Sequence, residues 1–261
     1  MLVMGLASKV APSEPLPVHP RTDRPQRHVV GDCVAAHLCV VSGRGVVSVV
    51  ISLCDLTGNM AQPWADAGYD VILVDPQHGM DNTEGRITRL ARTVLEAMPE
   101  LSEVIRSGEV AAVFGFPPCT DMAVSGARWF ESKRLADPAF FGKAIDVAEQ
   151  CRTVGMLSGV PWFVENPVST LAQVFGKPTN WFHPWHYTAL EPSDNYTKRT
   201  NLWAGGGFIM PAKQIDTTLG EPDNRIHMAA PGPERANFRS ATPMGFARAV
   251  FNANSRVHSW R

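Results

Sequence analysis

The stretch Val110–Cys119 reads VAAVFGFPPC. A mostly apolar, β-prone run leads into two prolines, which fix φ and withdraw two backbone donors, and a cysteine follows at once. A run of this kind, without polar alternation, predicts a strand buried on both faces in a parallel sheet. The flanking sequence agrees. Upstream, Val46–Leu53 is another β-rich apolar run, Tyr69–Val74 ends on Asp75, and Arg86–Leu90 reads as a weaker strand. Pro63 suits an opening helical position, and Trp64–Ala67 makes a short helix that Gly68 stops. Ala91–Arg106 is helical in composition, with a break expected at Pro99. Downstream, Pro138–Leu157 predicts a long helix with an apolar face at Phe141, Ala144, Ile145, Ala148 and Val154. Trp162–Val164 predicts a strand ending in Glu165-Asn166-Pro167, Asn201–Trp203 a late strand, and Met244–Asn254 a final helix. Strands alternating with helices predict an α/β domain, with a mostly parallel sheet and helices on both faces. Ligands of such sheets sit beyond the C-terminal ends of the strands. Asp55, Asp75, Cys119 and Glu165 all fall at such ends.

Each of these residues has two readings. Cys119 is either a nucleophile presented by a stiff loop or a small core side chain; its place at a strand end favours the nucleophile. Glu165 is either a proton donor and hydrogen-bond partner near that thiol or a cap for a helix beginning near Ser169 or Thr170. Cys54-Asp55-Leu56-Thr57-Gly58-Asn59-Met60 is either a ligand loop for a nucleotide-like group or an ordinary strand-to-helix turn. It is not GxGxxG, and the chain has no GxxxxGK[ST], which argues against a dinucleotide enzyme and an NTPase. Tyr196-Thr197-Lys198-Arg199-Thr200 is either a phosphate- or carbonyl-binding motif or a solvated loop. His183 and His186 flank Pro184, with no obvious third ligand, and read as structural or substrate-lining residues without a metal.

In their order along the chain these pieces resemble the DNA (cytosine-5) methyltransferases, and more closely a compact form found in phage genomes. The resemblance spans roughly Val46–Asn254. It rests on Asp55-Leu56-Thr57-Gly58, the acid ending the second strand, the Pro-Cys loop, Glu165-Asn166, the basic motif before Thr200, and Arg239-Ser240-Ala241-Thr242-Pro243 before the last helix. The run PPCTDMAVSGARWF, 117–130, points to the compact form. The resemblance implies a Rossmann-like fold dependent on S-adenosylmethionine and methyl transfer to C5 of cytosine in DNA. Cys119 would attack C6, Glu165 would bond N3 and the exocyclic amine, and Arg199 would hold the base carbonyl. Asp55, Leu56, Thr57, Gly58, Asp75 and Pro117 would line the cofactor site, with Asp75 on the ribose hydroxyls. A target-recognition segment would be reduced to about residues 204–240, leaving room for an accessory protein. The rival expectations are a related enzyme acting on RNA or carrying another group, and a catalytically idle DNA-binding relative.

The 261 residues combine 44% hydrophobic with 19% charged residues, a balance that excludes a disordered chain and a coiled coil. No uninterrupted apolar run reaches the roughly 18 residues of a membrane span; the richest region, Val34–Leu56, is broken by His37, Arg44 and Asp55. The start lacks the pattern of a secretory signal. Five cysteines, an odd number without CxxC spacing, argue against a disulfide framework or zinc site and for a reducing cytoplasm. Residues 1–45, rich in proline over 12–25, read as a partly disordered leader before a methyltransferase domain at 46–261. The net charge of −1 conceals a basic C-terminal end, with six arginines and one acid from Arg225 to Arg261. That end either meets a phosphate backbone or keeps the chain in solution.

Overall fold

A computed structural model describes residues 48–228 and 239–255. The expected leader at 1–45, the first two residues of the Val46–Leu53 run, and Arg235, Arg256 and Arg261 of the basic end lie outside the described residues.

The expected α/β architecture is present. Eight strands form one sheet: β1 Val49–Leu53, β2 Asp70–Val74, β3 Asn82–Glu84, β4 Ile87–Leu90, β5 Val110–Gly115, β6 Trp162–Pro167, β7 Asn180–Phe182 and β8 Thr200–Gly205. Their order is β3-β4-β2-β1-β5-β6-β8-β7. The central pairs β4/β2, β2/β1, β1/β5 and β5/β6 are parallel. β3 is antiparallel to β4, and β8 is antiparallel to both β6 and β7. β1 and β5 are buried along their whole length, in keeping with their largely apolar sequences.

Seven α-helices complete the described part: α1 Gln62–Asp66, α2 Val94–Ser107, α3 Phe130–Ala136, α4 Phe140–Ser158, α5 Leu171–Phe175, α6 Arg225–Met228 and α7 Met244–Asn254. On one face of the sheet, Trp64 of α1 and Phe246 and Val250 of α7 cover Val50, Leu73, Phe114, Phe163 and Leu202. Trp64 packs edge-on against Tyr69 and Phe251, and Phe246 stacks on Phe182 with ring centres 3.7 Å apart. On the other face, Ala144 and Ala148 of α4 and Leu171 of α5 pack with Met122 and Trp203.

Several boundaries differ from expectation. α2 does not break at Pro99 but runs through it. Thr93 and Glu96 form a capping box, and the carbonyl that Pro99 leaves without a donor belongs to Leu95, which lies on the solvent side. β6 does not stop at Val164; Glu165, Asn166 and Pro167 continue it because β8 pairs with them, at Leu202, Asn201 and Thr200. β3 and β7 were not expected from the sequence. Each has only three residues, too few to show a period.

Candidate active site

The strand order runs outward from β1 in one direction through β2 and β4, and from β5 in the other through β6. The chain therefore switches direction between β1 and β5, and the crevice beyond their C-terminal ends is the place where such sheets bind ligands. Asp55 follows β1, Asp75 follows β2 and Pro117-Pro118-Cys119 follows β5. Antiparallel β8 starts at this rim, so Tyr196–Arg199 reaches it too.

Cys119 is half-buried on the Pro-Pro loop. Asn166 fixes that loop by donating from Nδ2 to the Pro117 carbonyl at 3.3 Å. The loop continues into a tight turn, with the amides of Met122 and Ala123 donating to the Cys119 carbonyl. The Cys119 thiol is held above its ordinary value, first by burial and then by the Glu165 charge, while Lys198 and Arg239 pull it down. Burial likewise pushes the Glu165 carboxyl up, opposed by Lys198. Cys119, Glu165 and Lys198 thus form one electrostatic group. Glu165 caps no helix: α5 begins at Thr170 with no side-chain cap.

Arg199 is placed differently. Lys198, two residues before β8, is the cation whose charge acts on both Cys119 and Glu165. Arg199 is exposed, and its guanidinium lies 4.8 Å from the centre of the Trp181 ring. The structure therefore brings Lys198, not Arg199, to Cys119 and Glu165. Arg239, from the Arg-Ser-Ala-Thr-Pro motif, is a further cation felt by Cys119, and its buried Nε has no hydrogen-bond partner. Lys198 and Arg199 both precede the first residue of β8, so no strand pattern in the sequence separates them, and no sequence signal marked Arg239 for this role.

The loop after β1 is organised by Asp55, which is buried. Its carboxylate accepts from the Ser52 hydroxyl at 2.8 Å, the Thr57 hydroxyl at 3.1 Å and the Gly58 amide at 2.8 Å. Burial raises its pKa against these three bonds. Asp55 thus shapes its own loop, with Leu56 half-buried and Thr57 exposed. Gly58 has φ +71°, and a Cβ there would meet Leu73 Cδ1 at 2.8 Å. The Asn59 side chain donates to the Thr242 carbonyl, so the segment before α7 abuts this loop.

Asp75 lies beside a cavity of about 130 Å³. Apolar walls come from Val74, Val94, Pro118 and Val147, and polar groups from Asp75, Gln77, Arg92, Thr93 and Gln150. Asp75 Oδ1 accepts from the Gln77 amide at 2.8 Å. The cavity thus sets a carboxylate beside apolar walls. Cys54, with φ +54°, lines the same cavity, and its sulfur lies 4.0 Å from that of Cys151.

His183 and His186 hold backbone. His183 Nδ1 accepts from the Lys198 amide at 3.1 Å, and His186 Nδ1 accepts from the His183 amide. Burial lowers the pKa of both, that of His186 to about 4. No cluster of three or more potential metal ligands occurs among the described residues. Of the basic end, Arg225 pairs with Asp223 and Arg248 with Glu191. No described helix is long and apolar enough to cross a membrane. No protein-family model matches the chain, and no curated protein matches it.

Proposed function

We propose that the protein methylates C5 of cytosine in DNA, with S-adenosylmethionine as donor. The observation that carries this reading is the grouping of Cys119, Glu165 and Lys198 at the switch-point rim, beside the cavity bordered by Asp75. Asp75 would take the ribose hydroxyls, and Val74, Val94, Pro118 and Val147 the flat ring. Bound there, S-adenosylmethionine supplies an electrophilic methyl group.

The protein's own residues would act on the pyrimidine. Cytosine C5 is a poor nucleophile while the ring is aromatic. Addition of the Cys119 thiolate to C6 forms the S–C6 bond and moves the ring electrons toward C5 and N3. Glu165, charged beside the free thiol and made easier to protonate by burial, would take up a proton as the base binds and donate to N3, neutralising that charge. Lys198 stabilises the thiolate before attack. After C5 has been alkylated, its proton leaves to solvent, the C5–C6 double bond re-forms, the S–C6 bond breaks and the thiolate returns. Asn166 keeps the Pro-Cys loop in place throughout. In a duplex the target base has to leave the stack to reach Cys119.

The test is DNA carrying 5-fluorocytosine, whose C5 has no proton to lose. A covalent protein–DNA adduct is expected that requires S-adenosylmethionine, is absent on the matching RNA and disappears in Cys119→Ala. An adduct that survives this substitution removes Cys119 as nucleophile. One formed on RNA alone changes the substrate, and none at all with intact DNA binding leaves an idle relative. S-adenosylmethionine is also expected to raise the melting temperature, less so in Asp75→Ala.

A further inference from the structure

Among the described residues, some cations have a carboxylate partner and some have none. Arg86, Arg92, Arg152 and Arg248 each have a carboxylate partner. Arg199 and Lys213 have none among the described residues, and both lie over the same indole. The Arg199 guanidinium is 4.8 Å and the Lys213 ammonium 5.6 Å from the centre of the Trp181 ring, and Lys213 is also 6.0 Å from that of Trp185. Trp181 is 45% exposed, on a three-residue strand at the sheet edge.

An aromatic face gives each cation a modest attraction, yet two like charges on one ring without a counter-ion repel each other. A polyanion would relieve this. The neighbouring imidazoles add no charge, since burial and these same cations keep His183 and His186 neutral. Position indicates which polyanion. β7 runs parallel to β6, so Trp181 lies near the rim that carries Cys119. Arg199 directly precedes Thr200, which pairs with both Pro167 and Phe182 at that rim. The platform therefore borders the place where the cytosine would be held.

We propose that Trp181, Arg199 and Lys213 form a docking platform for the DNA strand next to the target cytosine, with Trp181 stacking on a base and the two cations meeting phosphates. This rests on the DNA-modifying reading above. Aromatic faces with nearby cations are the usual means of gripping nucleic acid without reading its sequence. A chain with only a short segment between β8 and α7 has use for such a grip.

The test is anisotropy of a labelled oligonucleotide with one cytosine, single-stranded and in duplex, against wild type, Trp181→Ala, Trp181→Phe and Lys213→Ala. Circular dichroism checks that each variant is folded. Trp181→Ala is expected to weaken binding about tenfold, and Trp181→Phe to restore most of it. Lys213→Ala should weaken binding and flatten the salt dependence by up to about one unit of slope. Wild-type binding that folded Trp181→Ala and Lys213→Ala retain in full overturns the platform and leaves the DNA reading standing. Failure of the wild type to bind either oligonucleotide overturns both. A wild-type dimer that Trp181→Ala dissociates, with DNA affinity unchanged, makes this face a protein interface and overturns the platform.

Discussion

Asn166 ties the end of β6 to the loop after β5 by donating to the Pro117 carbonyl from 3.3 Å. Pro117 and Pro118 have no amide hydrogens, so this loop holds its place mainly through carbonyls. Asn166→Ala removes the tie and leaves a buried carbonyl without a donor. A loss of about 1–2 kcal/mol in stability is expected from urea unfolding. Adduct formation by Cys119 should fall by a larger factor than the lost stability explains, because the thiol is no longer held at one position. Equal stability and equal rate would show that the prolines alone fix the loop.

Cys119 reactivity should follow its charged neighbours. Glu165 raises the thiol pKa and Lys198 lowers it. Only the thiolate is alkylated. At pH 8, Glu165→Gln should therefore accelerate iodoacetamide labelling of the Cys119 peptide, and Lys198→Ala should slow it, each by roughly three- to tenfold. The rate should rise with pH, since the thiol starts above its ordinary value. Arg199→Ala should leave labelling near wild type, because Arg199 lies over Trp181. Slower labelling in Arg199→Ala than in Lys198→Ala would reverse the assignment of the two cations.

Asp194 gives the fold a pH dependence of its own. It is buried, accepts from the Gly245 amide at 2.7 Å, and has a pKa raised to about 6, mainly by burial. The folded state thus binds a proton more tightly than the unfolded chain. Its stabilisation is complete below the ordinary carboxylate pKa of 3.8 and is lost as pH rises to about 6. Asp194→Asn keeps an acceptor for Gly245 and removes the titration. The variant should gain on the order of 2 kcal/mol over wild type at pH 8 and nothing near pH 3, read from melting curves. A gain independent of pH would trace the effect to packing.

Much of this architecture is legible in the sequence where burial writes itself into residue type. Val49–Leu53 and Val110–Gly115 are buried on both faces and read as largely apolar runs. Met244–Asn254 has the expected helical bounds. What is not legible depends on partners far along the chain. That Glu165 lies within a strand follows from its pairing with Leu202, which the segment itself does not encode. Nor does the segment encode that Lys198 acts on Glu165 while Arg199 lies over Trp181. Asp55 lies where a ligand-binding acid was expected, yet its three hydrogen bonds go to Ser52, Thr57 and Gly58. Only coordinates separate an acid that lines a site from one that shapes a loop.

β8 runs against its parallel neighbours, and this has a practical side. Its first residue lies at the Cys119 rim, while its last, Gly205, pairs with Trp162 at the far one. Gly206 then turns with φ +62°, so close to the Val160 carbonyl that a Cβ would lie 1.8 Å from the oxygen. Whatever is spliced in at Gly207 leaves from the back of the molecule, roughly 20 Å from the chemistry at 3.3 Å per strand residue. An engineer adding a targeting module can use that junction only with a linker long enough to come round the sheet. A reporter fused there would stay clear of the working end, which makes the back of β8 the natural attachment point for a label.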